Sequence, residues 1–344
     1  MWLYQIKMTV NNNKLYINLD VDGGDHAPES VLYGAEKYLE KDLNVFFNLY
    51  GNRTTIESYL TKLKLLEKNS AIIDCEGKID GSLKPTDSMK KEYRNTSLAK
   101  SIHALKNNNN QATVSAGNTG ALMAYSKVFL RTIEKISRPA IAALFPSKQH
   151  PVCFLDLGAN SECDEKNLTD FALMGSIYYK ILFPFSECKV ALLNIGSEDL
   201  KGSPVIQKTH DTLKSSTNIN YSGFIEANEI TDTPYNIIVT DGFTGNIALK
   251  TAEGISKFIT GSLKLHLLSS FISKILTFLL KSNLESFKKA IDPRNFNGAI
   301  LLGVNGIVIK SHGNADSHAF SNAISFAVKC LKSDLLLKIK NNAR

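Results

Sequence analysis

Short apolar runs alternate with amphipathic stretches along most of the chain. Eight runs have the length and the polar or glycine-rich borders of β-strands: Leu15–Leu19, Val45–Leu49, Ala112–Val114, Ile141–Phe145, Val152–Leu155, Val190–Leu193, Ile237–Val239 and Gly306–Ile309. Helical spacing covers Pro28–Leu39, Thr54–Leu66, Leu98–Leu105, Ala121–Ile133, Leu168–Ile181, Val205–Leu213, Thr244–Phe287 and Ala319–Ile339. The alternation predicts an α/β fold with a mainly parallel central sheet, and we expect its functional loops at one rim, where the strands end.

One helical segment, residues 254–290, is far more apolar than the others. Leu, Ile and Phe crowd it, and Lys257, Lys264, Lys274 and Lys281 interrupt it. No apolar run reaches the roughly 20 residues that would span a bilayer. The pair Ser269-Ser270 indicates a bend between two helices. Such a segment is typical of a core or dimer-interface helix pair and also of a basic amphipathic surface that lies on lipid, and both roles are compatible.

Composition restricts the class of protein. The 344 residues are 43% hydrophobic and 21% charged, which is typical of a soluble globular protein. The net charge of +7 is spread along the chain, which contains no nucleic-acid-binding motif. This charge fits an acidic protein partner, an anionic substrate or an anionic membrane. Five cysteines without a Cys-x-x-Cys pair argue against disulfides or zinc and favour a reducing cytoplasm. Residues 1–14 are predicted to be a loose leader, and 15–344 a single α/β unit.

The loop Ser115–Ala124 joins a predicted strand to a predicted helix. Gly117, Asn118, Thr119 and Gly120 lie at the junction. Free backbone N–H groups at a helix start suit an anion, usually phosphate. The loop is neither a Walker motif nor a Gly-x-Gly-x-x-Gly fingerprint. A tight turn that packs the helix on the strand explains the pattern equally well.

Two other loops carry acids and amides after strands. Asp20 precedes Gly23 and Gly24, whose glycines allow close backbone approach, while the acid could orient a group, bind a metal or cap a turn. Asp156 and Asn160 follow another strand, where they either hydrogen-bond a substrate or fix their own loop.

Cationic and amide side chains follow the later strands. Lys201 lies beside Gly202, a setting that suits phosphate or a developing oxyanion, although a single exposed lysine is common. Asp241 begins a motif that runs through Gly245 and Asn246 into a helix, so that an amide and backbone N–H groups could face an anion.

The last predicted strand ends at Lys310, and His312 follows it. The histidine could titrate near neutral pH or be tied to the backbone. The chain has no Gly-x-Ser-x-Gly elbow and no His-Glu-x-x-His motif. The glycine-bearing loops therefore favour binding and polarising an oxyanion over forming an acyl-enzyme.

The ordered set of these motifs resembles the PlsX family of phosphate acyltransferases. The matching stretches are Leu19–Asp25, Ser115–Ala121, Leu155–Asn160, Leu193–Gly196 with Lys201-Gly202, Asp241–Asn246 and Leu302–Gly313. The resemblance implies attack of inorganic phosphate on fatty acyl-[acyl carrier protein], giving acyl phosphate for phospholipid synthesis. It also implies a Rossmann-like fold akin to phosphotransacetylases and isopropylmalate dehydrogenases, and a cytoplasmic homodimer that contacts the inner face of the cell membrane. The product would pass to the membrane acyltransferase PlsY, and no cofactor, metal or nucleic acid is expected.

The physical requirements of this reaction give each loop a hypothetical role. Phosphate would lie on the amides of Asn118, Thr119 and Gly120. Lys201 would neutralise phosphate or the oxyanion, and Asn246 would donate to the carbonyl oxygen. Lys310 and His312 would contact phosphate or handle a proton.

One stretch departs from the family pattern. Asn95 stands where the family has an acid, so the loop around it is given no catalytic role. Three alternatives remain open: a short-chain phosphotransacetylase that uses acyl-CoA, a dehydrogenase of the related fold, and a non-catalytic membrane scaffold that docks carrier protein.

Overall fold

The computed structural model describes residues 14–267, 269, 270, 273, 277, 279–284, 287 and 297–342. In this part of the chain, strands β1 to β11 are Leu15–Asp20, Val45–Gly51, Ser70–Asp74, Gln111–Ser115, Ala140–Phe145, Val152–Leu155, Val190–Leu193, Tyr221–Ile225, Ile237–Val239, Ala299–Leu302 and Ile307–Lys310. Helices α1 to α11 are Glu29–Leu39, Arg53–Leu60, Lys64–Lys68, Pro85–Ser88, Ser97–His103, Thr119–Tyr125, Glu165–Leu182, Pro204–Lys214, Gly242–Leu267, Ser317–Lys332 and Leu335–Asn342.

All the described strands form one continuous sheet. The order is β3-β2-β1-β4-β11-β10-β5-β6-β9-β7-β8. Most neighbours are parallel, as predicted, but β10 pairs antiparallel with both β11 and β5, and β5 pairs antiparallel with β6. Because the direction reverses three times, β6, β9, β7 and β8 run opposite to β3, β2, β1, β4 and β11. The expectation that every functional loop lies at one rim is therefore wrong.

Helices cover both faces of the sheet. Alternate side chains of each strand enter different cores, because successive residues of a strand point to opposite faces. Leu155 and Leu192 enter the core that α1, α7, α10 and α11 cover, whereas Phe154 and Leu193 enter the core that α5 and α6 cover. This three-layer arrangement leaves the loops at the strand ends to build the site.

The eight predicted strands are confirmed, and three further strands were missed. Two of these, β3 and β8, lie at the two edges of the sheet, where only one side is paired and the apolar run is short. The third, β10, is the antiparallel strand near the centre.

Helix α9 differs from the other long helices because it is buried only at its start. Gly242 and Gly245 are buried, whereas Phe258 and Leu265 are 75% and 72% exposed. Residues 269 and 270 form the predicted bend. Lys274 and much of the segment after it lie outside the described residues, as do residues 1–13 of the predicted leader. None of the described helices is long and apolar enough to cross a membrane.

Candidate active site

The loops that follow β1, β4 and β11 meet in one group, here called the first cluster, which consists of residues 20–25, 115–120 and 310–313. Asp20 lies at its centre and is 1% exposed. The hydroxyl groups of Ser97 and Ser115 donate to its two carboxylate oxygens at 2.5 and 2.6 Å. Burial raises the pKa of Asp20, and these two hydrogen bonds and the charge of Lys310 oppose the rise. Asp20 therefore ties together the ends of neighbouring strands from inside the protein.

Close backbone approach explains the glycines of the first cluster. A Cβ on Gly23 would lie 2.2 Å from Oδ2 of Asp20, and a Cβ on Gly117 would lie 3.0 Å from the same oxygen. Gly24 has a φ of +111° and packs against Ala116. These glycines let the β1 and β4 loops touch around the buried carboxylate.

Asn118 caps helix α6, which follows β4. Its Oδ1 accepts from the amide of Ala121, and its Nδ2 donates to the carbonyl oxygens of residues 80, 81 and 83. The Asn118 side chain is thus used for local structure. In the described part of the chain, the backbone amides of Thr119 and Gly120 have no acceptor, so they are the donors that this loop can offer to a ligand.

Lys310 brings a partly buried cation to the first cluster. Its Nζ donates to the carbonyl oxygen of Ala116 at 3.3 Å and to that of Ser311, and it forms no ion pair with a carboxylate of the described residues. Burial lowers the pKa of Lys310 to about 8; the charge of Lys250 acts in the same direction, and Asp20 and Asp25 oppose it.

The loops that follow β6 and β9 form a second cluster of residues 156–160 and 241–246. Asp156 is fully buried, and its two oxygens accept from the amides of residues 141, 158, 159 and 160 and from Nδ2 of Asn160. Asn160 also donates to the carbonyl oxygen of Pro139. Of the two interpretations of this loop, loop fixation accounts for all these contacts.

Asp241 and Gly245 fix the start of α9 on this loop. Asp241 accepts from the amide and the hydroxyl of Thr244, both at 2.8 Å, which satisfies the first turn of the helix. A Cβ on Gly245 would lie 1.9 Å from the carbonyl oxygen of Asp156. Only glycine therefore permits the helix to approach so closely.

Asn246 and Lys201 stand out because their polar groups are not engaged. Asn246 is exposed, lies against Gly158 and makes no side-chain hydrogen bond within the described residues. Lys201 is also exposed, and its backbone is held by Glu198, Asn194 and Gln207, whereas its Nζ has no partner in the same part of the chain. Both groups are available to a ligand.

Helix α9 begins in the second cluster and extends to the first. Lys250 lies one turn after Asn246, on the same side of the helix, because residues four apart are neighbours there. Its Nζ lies 3.3 Å from Nε2 of His312 and 2.9 Å from Oε2 of Glu253. His312 Nε2 lies 3.5 Å from the other oxygen of Glu253. The hydrogen bond from His312 and the neighbouring Lys250 lower the pKa of Glu253 to about 2.

Ser97, Lys250 and Glu253 were not among the residues predicted from the sequence. Only the four-residue spacing from Asn246 to Lys250 could have indicated the last two, because residues at this spacing lie on the same side of a helix. Among the described residues no group of three or more His, Cys, Asp or Glu side chains could hold a metal ion.

A cavity of about 620 Å³ opens beside the first cluster, at the ends of β1, β2 and β3. Asp22, Asn52, Asp74, Glu76 and Lys78 are among the residues that line it. Four of its ten lining residues are charged, and such charged groups do not suit a hydrocarbon chain.

Comparison with known proteins decides the family. The model of a family described as fatty acid synthesis protein matches residues 15–338. The chain belongs to the PlsX family of phosphate acyltransferases. The phosphate acyltransferase of Pelagibacter ubique (strain HTCC1062) is 42% identical over 328 residues, which are 95% of this chain and 98% of the relative. That of Wolbachia pipientis wMel is 41% identical over 338 residues, 97% of each chain.

A solved structure supports the fold independently. A phosphotransacetylase from Streptococcus pyogenes superposes with a TM-score of 0.63 at 14% identity, over 93% of this chain and 94% of that chain. The α/β fold predicted from the sequence is thereby confirmed, and the family model and the two relatives confirm the PlsX family and the enzyme class. As a PlsX member, the protein is an acyltransferase of lipid synthesis whose reaction uses phosphate.

Proposed function

We propose that the protein transfers a long fatty acyl group from acyl carrier protein to inorganic phosphate, with Lys201 and Asn246 as the residues that stabilise the transition state. A phosphate oxygen attacks the thioester carbonyl, the carbon–sulfur bond breaks, and the proton of hydrogen phosphate ends on the carrier thiol. The products are acyl phosphate and free carrier protein. A thiolate leaves readily, so the main requirement is to hold phosphate close to the carbonyl and to stabilise the charge on its oxygen.

The observation that carries this proposal is the difference between engaged and free polar groups. The side chains of Asn118, Asn160 and Asp241 are used by their own loops. Lys201 and Asn246 follow neighbouring strands β7 and β9 and keep their polar groups free within the described residues. A free amide donor and a free cation are what a developing oxyanion requires.

In this proposal, inorganic phosphate binds beside the first cluster. The amides of Thr119 and Gly120 lack acceptors in the described chain, and Lys310 adds a positive charge there. Gly117, Gly23 and Gly24 let the β1 and β4 loops close around Asp20, which supports this part of the site from inside the protein.

Exposed apolar side chains favour a long acyl chain over an acetyl group. Leu200, next to Lys201, is 91% exposed, and Phe243 and Ile247 on α9 are 63% and 50% exposed. These side chains lie beside the proposed oxyanion donors, where a hydrocarbon chain would cover them. The net charge of +7 suits an acidic carrier protein.

The apolar face of α9 supports two further parts of the proposal, a homodimer and contact with the inner surface of the cell membrane. Phe258 and Leu265 are seven residues apart on one face, and Lys257 and Lys264 repeat the same spacing. A helix with exposed apolar and basic residues binds an anionic lipid surface or a second copy. Release of acyl phosphate at that surface would serve the membrane acyltransferase PlsY in a cytoplasmic, peripherally bound enzyme.

The test is purified protein with labelled inorganic phosphate and either palmitoyl-[acyl carrier protein] or acetyl-CoA. We expect phosphate-dependent formation of labelled acyl phosphate with the first donor and little product with the second. Equal or faster reaction with acetyl-CoA would favour a short-chain phosphotransacetylase instead. Loss of thioester without labelled product would contradict transfer to phosphate.

A further inference from the structure

Lys250 is the place where the two clusters of the site come into contact. It lies one turn after Asn246 of the second cluster, a rise of about 6 Å along the helix. Its Nζ lies 3.3 Å from Nε2 of His312, which belongs to the first cluster. A ligand that contacts both Asn246 and His312 therefore lies close to Lys250.

The ammonium group of Lys250 is held in place by one hydrogen bond and can donate further ones. Glu253 Oε2 accepts from it at 2.9 Å. The amide of Asn314 donates to Nδ1 of His312 at 3.3 Å, so Nε2 of the neutral ring carries the proton and faces Glu253 Oε1. One carboxylate thus orients both groups. An ammonium group has three donors, and Lys250 remains about half exposed, so it can still donate to a ligand.

A second cation, Lys310, lies two residues before His312, whose Nε2 is 3.3 Å from Nζ of Lys250. Lys310 donates only to backbone carbonyl oxygens in the described structure, and the charge of Lys250 disfavours its protonated form. Two ammonium groups near each other, with one of them lacking a carboxylate partner in the described chain, leave a positive field that a doubly charged anion would neutralise.

We propose that Lys250 and Lys310 bind the phosphate substrate between them, and that Glu253 orients the ammonium group of Lys250 toward it. The inference rests on the proposed function for the identity of the anion. It adds Lys250 as a phosphate-contacting residue and Glu253 as a positioning residue. Phosphate held there would lie beside Asn246, with which the thioester carbonyl is proposed to bond.

The experiment compares Lys250→Met with Lys208→Met, which removes the same charge from an exposed lysine of α8 outside both clusters. Initial rates are measured while inorganic phosphate and palmitoyl-[acyl carrier protein] are varied separately. We expect the KM for phosphate to rise at least about tenfold in Lys250→Met, the typical effect of losing one charged hydrogen bond, with the KM for the acyl donor nearly unchanged. Lys208→Met should match the wild type, and Lys250→Arg should recover most of the affinity.

Positioning by Glu253 is tested by the split between constants. Glu253→Gln keeps the size of the side chain and removes its charge. It should raise the KM for phosphate several-fold with a smaller change in kcat, and a selective fall in kcat would contradict a positioning role. Melting temperatures close to that of Lys208→Met show that the variants are folded.

Titration calorimetry with inorganic phosphate alone separates this inference from the proposed function. Phosphate binding that weakens in Lys250→Met supports the site even if palmitoyl-[acyl carrier protein] proves to be the wrong donor. Unchanged phosphate binding and unchanged phosphate KM overturn the site even if acyl phosphate is made. A raised KM for the carrier substrate alone would also overturn it, because Lys250 would then contact the carrier's phosphopantetheine rather than inorganic phosphate.

Discussion

The Nζ atom of Lys250 lies 3.3 Å from Nε2 of His312, although the two residues are 62 positions apart in the chain. Lys250 reaches this point on a helix that starts at the end of β9, whereas His312 follows β11, which runs in the opposite direction. Since the strand directions separate the two groups of loops, helix α9 is the element that joins them. The geometry of α9 at its start consequently controls the site.

Gly245 sets that geometry, and its replacement should abolish activity. A Cβ in Gly245→Ala would lie 1.9 Å from the carbonyl oxygen of Asp156, so α9 would have to move away from the loop. We expect loss of acyl phosphate synthesis and destabilisation of about 2 kcal/mol or more. Denaturant unfolding and steady-state rates measure the two effects.

Gly254→Ala is the matched control on the same helix. A Cβ there meets no atom of another part of the described chain within 4 Å, and alanine favours a helix over glycine by up to about 1 kcal/mol. This variant should keep full activity and be at least as stable as the wild type. Equal activity of Gly245→Ala and Gly254→Ala would show that the position of α9 does not govern the reaction.

Lys201→Ala and Asn246→Ala should each lower kcat rather than raise the KM for phosphate. Their groups are proposed to bond the oxyanion, which exists only in the transition state, and removal of one such donor costs roughly 100-fold in rate. Lys208→Ala on α8 removes an exposed lysine nearby and should have no effect. Near-native kcat in both alanine variants would remove these residues from the mechanism.

Much of the fold could be predicted from the sequence because each central strand is a distinct apolar run. Val152–Leu155, Val190–Leu193 and Ile237–Val239 have the predicted bounds. The edge strand Tyr221–Ile225 could not be identified in this way, since Ser222 and Gly223 interrupt its apolar pattern. Strand direction was also inaccessible, because a local run carries no information about its partner.

The site was predictable in its loops but not in the contacts between them. Glycine-rich junctions such as residues 115–120 and 241–246 indicated ligand-facing backbone. The side chains of Asn118 and Asn160 are engaged by carbonyl oxygens 35 and 21 residues away, and the sequence does not show that these acceptors lie close. The approach of Lys250 to His312 depends on the reversal of strands between β11 and β6, which no local pattern encodes.

Lys310 should make phosphate binding weaken as pH rises through about 8. Burial lowers its pKa to about 8, so the free enzyme loses this positive charge above that pH. The KM for phosphate is expected to rise between about pH 7 and about pH 9 in the wild type. In Lys310→Arg the guanidinium stays charged, and the KM should change little over this range. A KM independent of pH in the wild type would contradict contact between Lys310 and phosphate.

Stability should respond to the same group with the opposite sign. The pKa of Lys310 is lowered from 10.5 on folding, so between about 8 and 10.5 the unfolded chain binds more protons than the folded one. The free energy of unfolding that Lys310 contributes is therefore fully present above pH 10.5. It decreases as pH falls below 10.5 and is lost below about pH 8. Urea unfolding of the wild type and Lys310→Met, compared across this window, measures the difference between their slopes.

The exposed face of α9 should bind anionic lipid. Phe258→Glu combined with Leu265→Glu places two negative charges on apolar positions that are 75% and 72% exposed. Flotation with phosphatidylglycerol vesicles is expected to fall for this variant, because both apolar insertion and attraction to Lys257 and Lys264 are weakened. Phe185→Glu, which changes a fully exposed aromatic residue away from α9, should float as the wild type does. Sedimentation of the same samples separates lipid contact from dimerisation: intact flotation with loss of the dimer would assign this face to the partner subunit instead.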